Sequence, residues 1–483
     1  MSLRDEALAI WQAGVDAVDS RMLVRRAVQQ WRGGITIGQG RWTPKGDAQI
    51  CVVGAGKAGV GMARGLVDGL STELLERTSG WINVPEDCLA GTAFESADLP
   101  ASIHLHPARP AGINEPTAEG VTGTNEILSR VNRLRERDLC VVLLSGGGSA
   151  LLPAPIEGIT LDDKLQVTRL MMQSGAPIQD LNLVRRALSR IKGGGLLRTC
   201  RAGSMITLVI SDVIGDPPEI IASGPTVEET RQPACALELL DQYAKKSGLD
   251  VPSRVREVLR EQERELSGQG GSAAASLSRG AEIPSAPHNA RCRSFLKIIG
   301  NNLTAVAAAA ACARELGFTI QLAEADRGGV ASELGSEFAD RISDFAGSTQ
   351  RGQRAAWISG GEPVVHLVQT DQPRKGGRNQ ELVLAAAQRL IERFPAGIPE
   401  NCRFALCSGG TDGEDGPTDA AGAVIDRELI ETIRRSGASP KDFLSINNAY
   451  PFFEQFGGLL KTGPTHTNVM DLRIGLLNSS GAR

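Results

Sequence analysis

The sequence predicts an α/β protein of two domains, built of βαβ units around largely parallel sheets. Three observations carry this. Short apolar runs recur along the chain, and six of them end in clusters of Gly, Ser, Asp or Asn. Stretches of helical periodicity lie between them. A stretch rich in Ser, Ala, Gly and Pro, 265–289, lacks apolar periodicity and divides the chain into halves that each carry such strand ends. Strands alternating with helices fold as βαβ units, and ligands gather at the C-terminal ends of the strands. The expected organisation is an N-terminal domain over 1–260, a linker or surface excursion over 261–293 and a C-terminal domain over 294–483, with an active site in the cleft between the domains.

The elements follow in order. Leu8, Trp11, Val15, Val18, Met22 and Leu23 recur at steps of three and four, which predicts one amphipathic helix within 3–31. Gln49–Val53 reads as a strand, followed by the glycine loop 54–59 and a helix to about Leu75. The same strand-to-loop pattern returns at Leu139–Leu144, Met205–Ile210, Phe295–Ile299, Ala355–Ile358 and Phe404–Cys407. A helix over Leu382–Phe394 opens on Gly377-Arg-Asn-Gln-Glu381.

Composition excludes several classes. The 483 residues are 41% hydrophobic and 22% charged, as in an ordinary globular protein. A net charge of −4 offers no basic excess for a nucleic-acid backbone or a membrane surface, and 4% aromatics offer few stacking platforms. The nine cysteines are scattered without a C-x-x-C, and the five histidines form no H-x-x-x-H. Buried thiols in a reducing, cytoplasmic setting are expected, and any metal would be a hard, oxygen-bound cation such as Mg²⁺. The N-terminus carries no apolar signal segment. Lysine is scarce, ten against 42 arginines, so a lysine among glycines is informative.

The loops carry the chemistry. Gly54-Ala-Gly56-Lys57-Ala-Gly59 matches G-x-G-x-x-G after a strand, with Lys57 at the helix start as a partner for phosphate or carboxylate. It is no Walker loop, because Ala58 follows the lysine. Ser145-Gly146-Gly147-Gly148-Ser149 can turn backbone N–H groups toward an anion. Arg185, Arg186, Ser189, Arg190 and Lys192 lie near a third glycine cluster, read equally as an anion site or a helix surface. Asp212 and Asp216 end one strand; either could hold Mg²⁺ or accept a hydroxyl proton, and Asp212 is favoured. Asp412, Glu414, Asp415 and Asp419 form an acidic cluster, with Asp412 and Asp415 the second candidate metal pair. Arg378 at a helix N-terminus is disfavoured by the helix dipole and is easier to explain if it faces an anionic ligand.

Together these blocks resemble the glycerate 2-kinase family, the MOFRL-type glycerate kinases. The likeness spans nearly the whole chain through Gly54–Ala58, His106-Pro107, Leu144–Leu152, Ile191–Gly195, Ser211–Asp216 with Ser223–Thr226, Gly377–Glu381, Ser408–Gly413 with Gly416–Ala421, and Thr462–Thr465. The resemblance implies a Rossmann-like N-terminal domain, a C-terminal MOFRL domain and phosphorylation of D-glycerate to 2-phosphoglycerate by ATP with Mg²⁺. It matches the family's lysine to Lys57 and its arginine to Arg378. Gly54, Gly56, Gly146, Gly147, Gly148, Ser149 and Lys192 are then the nucleotide-binding residues. No nucleic-acid or membrane partner is expected, and a homodimer is left open. Two readings compete: an NAD(P)-dependent hydroxypyruvate reductase using loop 54–59, and a non-catalytic metabolite- or nucleotide-binding protein of the same fold.

Overall fold

The computed structural model describes residues 1–31, 33–89, 99–110, 115–269, 292–348, 353–400 and 402–479. Most of the expected linker, 270–291, lies outside the described residues. The chain forms two compact units that are discontinuous in sequence. One contains Val24–Val209 and Pro217–Lys297; the other contains Met1–Leu23, Ile210–Asp216 and Ile298–Arg483. The first helix and the Asp212–Asp216 loop, both placed by the sequence reading in the N-terminal domain, therefore belong with the C-terminal unit.

The first unit opens with a small antiparallel meander of β1 (Val28–Trp31), β2 (Gly34–Ile37) and β3 (Gly40–Trp42). Its main sheet uses β4 (Ile50–Ala55), β5 (Thr78–Pro85), β6 (Ile103–Arg109), β7 (Leu139–Leu144), β8 (Ser204–Ile210) and β9 (Arg293–Gly300). Their order is β6-β5-β4-β7-β8-β9, and the pairings from β6 through β8 are parallel. Counted from β4, this is the doubly wound order 3-2-1-4-5-6, whose switch point falls between β4 and β7. Both of those strands are buried along their whole length, as their unbroken apolar sequences require. A separate helical layer packs Val167, Leu170, Met171, Val184, Leu240, Val255 and Leu259 into its own apolar cluster.

The second unit holds a mixed sheet rather than the parallel one implied by the βαβ reading. Its strands are β10 (Thr319–Glu324), β11 (Arg354–Gly361), β12 (Cys402–Gly410), β13 (Gly422–Asp426), β14 (Leu459–Leu460) and β15 (Asp471–Ser479), in the order β10-β11-β15-β12-β13-β14. β15 runs antiparallel to both β11 and β12, so the glycine-bearing ends of those strands point the same way. Register then fixes a site: Gly361 and Gly410 both face Asp471, the first residue of β15.

The single N-terminal helix of the sequence reading is two, Leu3–Asp16 and Ser20–Ala27. Asp19 accepts the Met22 N–H at 2.7 Å and so starts a new helix. The first helix is closed by a Ser2–Asp5 capping box. It buries Ala7, Ile10, Trp11 and Val15 against Ile358, Ala405, Leu472 and Ile474. Trp11 also donates its indole N–H to the Gly409 carbonyl at 3.3 Å. Truncating Trp11 to Ala would cost about 3–5 kcal/mol.

Candidate active site

At the switch point of the first sheet the two glycine loops bond to each other. The Lys57 N–H donates to the Gly146 carbonyl at 2.9 Å, and the Ala58 N–H to Ser145 Oγ at 3.0 Å. Gly56 has φ +147°, and a Cβ there would lie 2.0 Å from Ser145 Oγ, so glycine is required for this closure. Two amides that a dinucleotide loop would turn toward pyrophosphate are thus spent within the protein, which counts against the reductase reading. Gly147, with φ +78°, sits beside the Lys57 side chain and the Arg109 guanidinium.

On the far side of the same loop, Ser149 is the hub of a hydroxyl–cation cluster. Lys192 Nζ donates to Ser149 Oγ at 2.5 Å and to the Ser149 carbonyl at 2.8 Å, and reaches Ser223 Oγ at 3.3 Å. The two serine hydroxyls are 2.9 Å apart, and Arg185 Nη2 donates to Ser149 Oγ at 3.0 Å. Gly193 and Gly194, both at positive φ, place the Lys192 loop by donating to the carbonyls of Ser223 and Gly224. Burial, with Arg185 and Lys164 nearby, pulls Lys192 well below the usual lysine range. The equal weighing of anion site and helix surface for this stretch separates here. Arg185 and Lys192 join the cluster. Arg186 instead pairs with Glu229, and Arg190 bonds Asn125 and the Pro155 carbonyl.

In the second unit Arg378 opens the helix Arg378–Arg393. Its Nε and Nη2 grip Asp471 at 2.6 and 3.0 Å, and Nη1 donates to Glu362 at 2.7 Å. The anion beside it is first of all the protein's own. Burial alone would lower the Arg378 pKa; the Asp471 and Glu362 carboxylates reverse that and raise it. The Arg378 side chain keeps a third of its surface exposed. It borders a cavity of about 530 Å³, walled by Pro363, Val364, Leu367, Arg374, Glu381 and Asn447, a volume suited to a small ligand. A larger cavity, about 790 Å³, is lined by residues such as Glu136, Gly203 and Arg293. Those precede or begin β7, β8 and β9, so it lies at the strand end away from the glycine loops.

The acidic cluster 412–419 does not stay together. Asp415 caps the Arg378 helix from a distant loop, accepting the N–H groups of Asn379 and Gln380 at 3.0 and 2.8 Å. Gly377 makes room, since a Cβ there would lie 2.2 Å from Asp415 Cγ. Burial pushes the Asp415 carboxyl up to about 7, against the pull of those two N–H groups. Asp412 accepts the Glu414 N–H at 3.1 Å. Asp419 binds Lys461 and Tyr450 at 2.8 and 2.6 Å, which holds it down at about 2.

Asp212 and Asp216 part in the same way. Asn468 donates to Asp212 at 3.1 Å, and Asn301 to Asp216 at 2.5 Å. Among the described residues no three His, Cys, Asp or Glu side chains group as a metal site. Each carboxylate of the two expected pairs, Asp212 with Asp216 and Asp412 with Asp415, has a protein partner, and Asp415 also caps a helix. The sequence reading missed Asp471 and Lys164. Asp471 could have been found from the alternation that follows it, Leu-Arg-Ile-Gly-Leu-Leu.

Comparison with known proteins extends this picture. Residues 6–260 match the model described as a domain of unknown function (DUF4147), and residues 355–471 match the MOFRL family. The chain is 33% identical to a glycerate kinase of Danio rerio, covering 99% of this chain and 98% of that one. It is 34% identical to a glycerate kinase of Homo sapiens, over 98% and 93%. It is 35% identical to a D-glycerate 2-kinase of Thermotoga maritima, over 76% and 79%. Among solved structures, a Thermotoga maritima glycerate kinase superposes with TM-score 0.76 at 29% identity, covering 98% of this chain and 99% of that one. The PH0495 protein of Pyrococcus horikoshii superposes with TM-score 0.74 at 31% identity, over 100% and 99%. Among the described residues no helix is long and apolar enough to cross a membrane.

Proposed function

This chain belongs to the glycerate kinase family, and from that premise we propose that it phosphorylates D-glycerate on the 2-hydroxyl, with ATP as donor, to give 2-phosphoglycerate and ADP. The observation that carries the reading is the pairing of loops 54–59 and 145–149 at the switch point of a doubly wound sheet, with Lys57 on one loop and the Ser149–Lys192 cluster on the other. Ligands of such sheets bind there.

Phosphoryl transfer asks the protein chiefly to position groups and to offset charge on the transferring oxygens. Lys57 supplies a compact ammonium for that charge. Arg378, preset by Asp471, supplies the planar fork. Asp212, steadied by Asn468, is the proposed acceptor of the 2-hydroxyl proton. A divalent cation travelling with ATP would be held chiefly by its phosphates, as Mg²⁺ usually is.

The test is a coupled assay on purified protein with D-glycerate and ATP, following ADP release with and without Mg²⁺ and identifying the product by ³¹P NMR. ADP release with 2-phosphoglycerate as product supports the reading. 3-Phosphoglycerate would move the transfer to the other hydroxyl, and no ADP release would end the kinase reading.

A further inference from the structure

One of the few lysines lies where a lysine is costly. Lys164 sits on the helix Leu161–Gln173, whose Val167, Leu170 and Met171 enter the helical core. It is 9% exposed, and its Nζ meets no hydrogen-bond partner. An unpaired buried ammonium costs several kcal/mol. Two further cations lie close enough to act on the same charges, half-buried Arg185 and buried Lys192, the pair that converges on Ser149. Arg185 and Lys164 both act on Lys192, and Arg185 and Arg190 act on Lys164. Among the described residues no carboxylate offsets Lys164, Arg185 or Lys192. Burial, then these like charges, brings Lys164 down to about 7. Arg378 and Arg354, by contrast, each pair with an acid, Asp471 and Glu6.

Backbone strain marks the same place. Ala222 and Ser223 are consecutive non-glycine residues in the left-handed region, at φ +51° and +64°. Such residues persist where their surroundings over-determine them, and they cluster at ligand sites. Here the strain aims the Ser223 hydroxyl at Ser149 and Lys192.

We propose that Lys164, Arg185 and Lys192, with the hydroxyls of Ser149 and Ser223, form a buried oxyanion subsite that takes a carboxylate or phosphoryl group and draws its missing negative charge from the ligand. Lys164 is a binding residue of this subsite. The identity of the oxyanion rests on the kinase reading, which offers two sources: the carboxylate of glycerate and a phosphate of the nucleotide.

The test is titration calorimetry on the full chain with inorganic phosphate, D-glycerate and ATP as probes, for the wild type, Lys164→Met and Arg185→Met. Circular dichroism verifies the fold, and Arg185→Met serves where Lys164→Met does not fold. Each variant should weaken the same probe by about 10- to 100-fold, the worth of a hydrogen bond to a charged group. Loss confined to D-glycerate identifies the carboxylate; loss of ATP and phosphate with D-glycerate unchanged identifies the phosphoryl group. Folded variants that bind all three probes as the wild type does overturn the subsite, even where the wild type turns over D-glycerate. A wild type that binds phosphate through Lys164 but turns over no D-glycerate overturns the kinase reading and leaves the subsite standing.

Discussion

The carboxylate of Asp471 takes two hydrogen bonds from one guanidinium, Arg378, through Nε at 2.6 Å and Nη2 at 3.0 Å. Asp471 is fully buried and fixed by its register between β11 and β12. It therefore dictates where the exposed edge of the arginine points. Asp471→Asn should lower kcat by about 100-fold while KM changes less, because a misplaced charge is felt most in the transition state. Arg378→Lys should not restore turnover, since an ammonium cannot make the two-pronged contact. Steady-state kinetics on folded variants decide the matter, and wild-type kcat in Asp471→Asn would remove the positioning role.

Lys57 is anchored through its backbone to Gly146, so truncating its side chain should leave the loop in place. Lys57→Ala is expected to lose about 100-fold or more in kcat at unchanged melting temperature. Combined with Arg378→Ala, the loss should be well short of the product of the two single losses if both serve one step. A strictly multiplicative double variant would separate them.

Asp212→Asn keeps the shape of the side chain and its neighbour Asn468 while removing the charge. Loss of turnover of about 100-fold, with D-glycerate affinity retained by calorimetry, is the expected result for a proton acceptor. Full turnover with an unchanged Mg²⁺ requirement would move the assignment to the 412–415 loop, where Asp412 is half-exposed.

Asp415 gives a pH prediction with a definite sign. Its carboxyl titrates near 7 in the folded protein, against 3.8 for the ordinary group. Between these values the folded state holds a proton that the unfolded state has released, so this residue's contribution to stability falls as pH rises from about 4 to about 7 and then levels. Asp415→Asn removes the titration. Urea unfolding at about pH 5 and about pH 8 should show the wild-type advantage over Asp415→Asn shrinking, by an amount on the order of a few kcal/mol. A difference that grows with pH would mean that the folded carboxyl titrates low.

Much of this was legible in the residues. Leu139–Leu144 is a strand with those same limits, because an unbroken apolar run between Asp138 and a glycine loop leaves little choice. The glycine loops after strands marked Lys57, and lysine scarcity marked both Lys57 and Lys192, the latter beside a glycine cluster. What was hidden depended on pairing across long separations. Nothing local in Asp415 says that it caps a helix 35 residues upstream. Nothing in Lys164 says that its helix turns it toward Arg185. The acidic cluster looked coherent because four carboxylates fell within eight residues, yet Asp412, Asp415 and Asp419 each found a different partner once the chain folded.

The place of β15 carries a consequence for how the protein comes to exist. Among the described strands it comes last in sequence, yet it lies in the interior of its sheet, paired on both sides along its length. Until Asp471–Ser479 leaves the ribosome, β11 and β12 have no strand to share, the apolar face of the first helix has no complete floor, and Arg378 has no Asp471. The unit that holds the helix Leu3–Asp16 is thus finished only by a strand that follows every other described strand in sequence. The nascent chain must carry the apolar face of Leu3–Asp16 without its complete floor until Asp471–Ser479 is made, and a stop before Asp471 would release a chain open to aggregation.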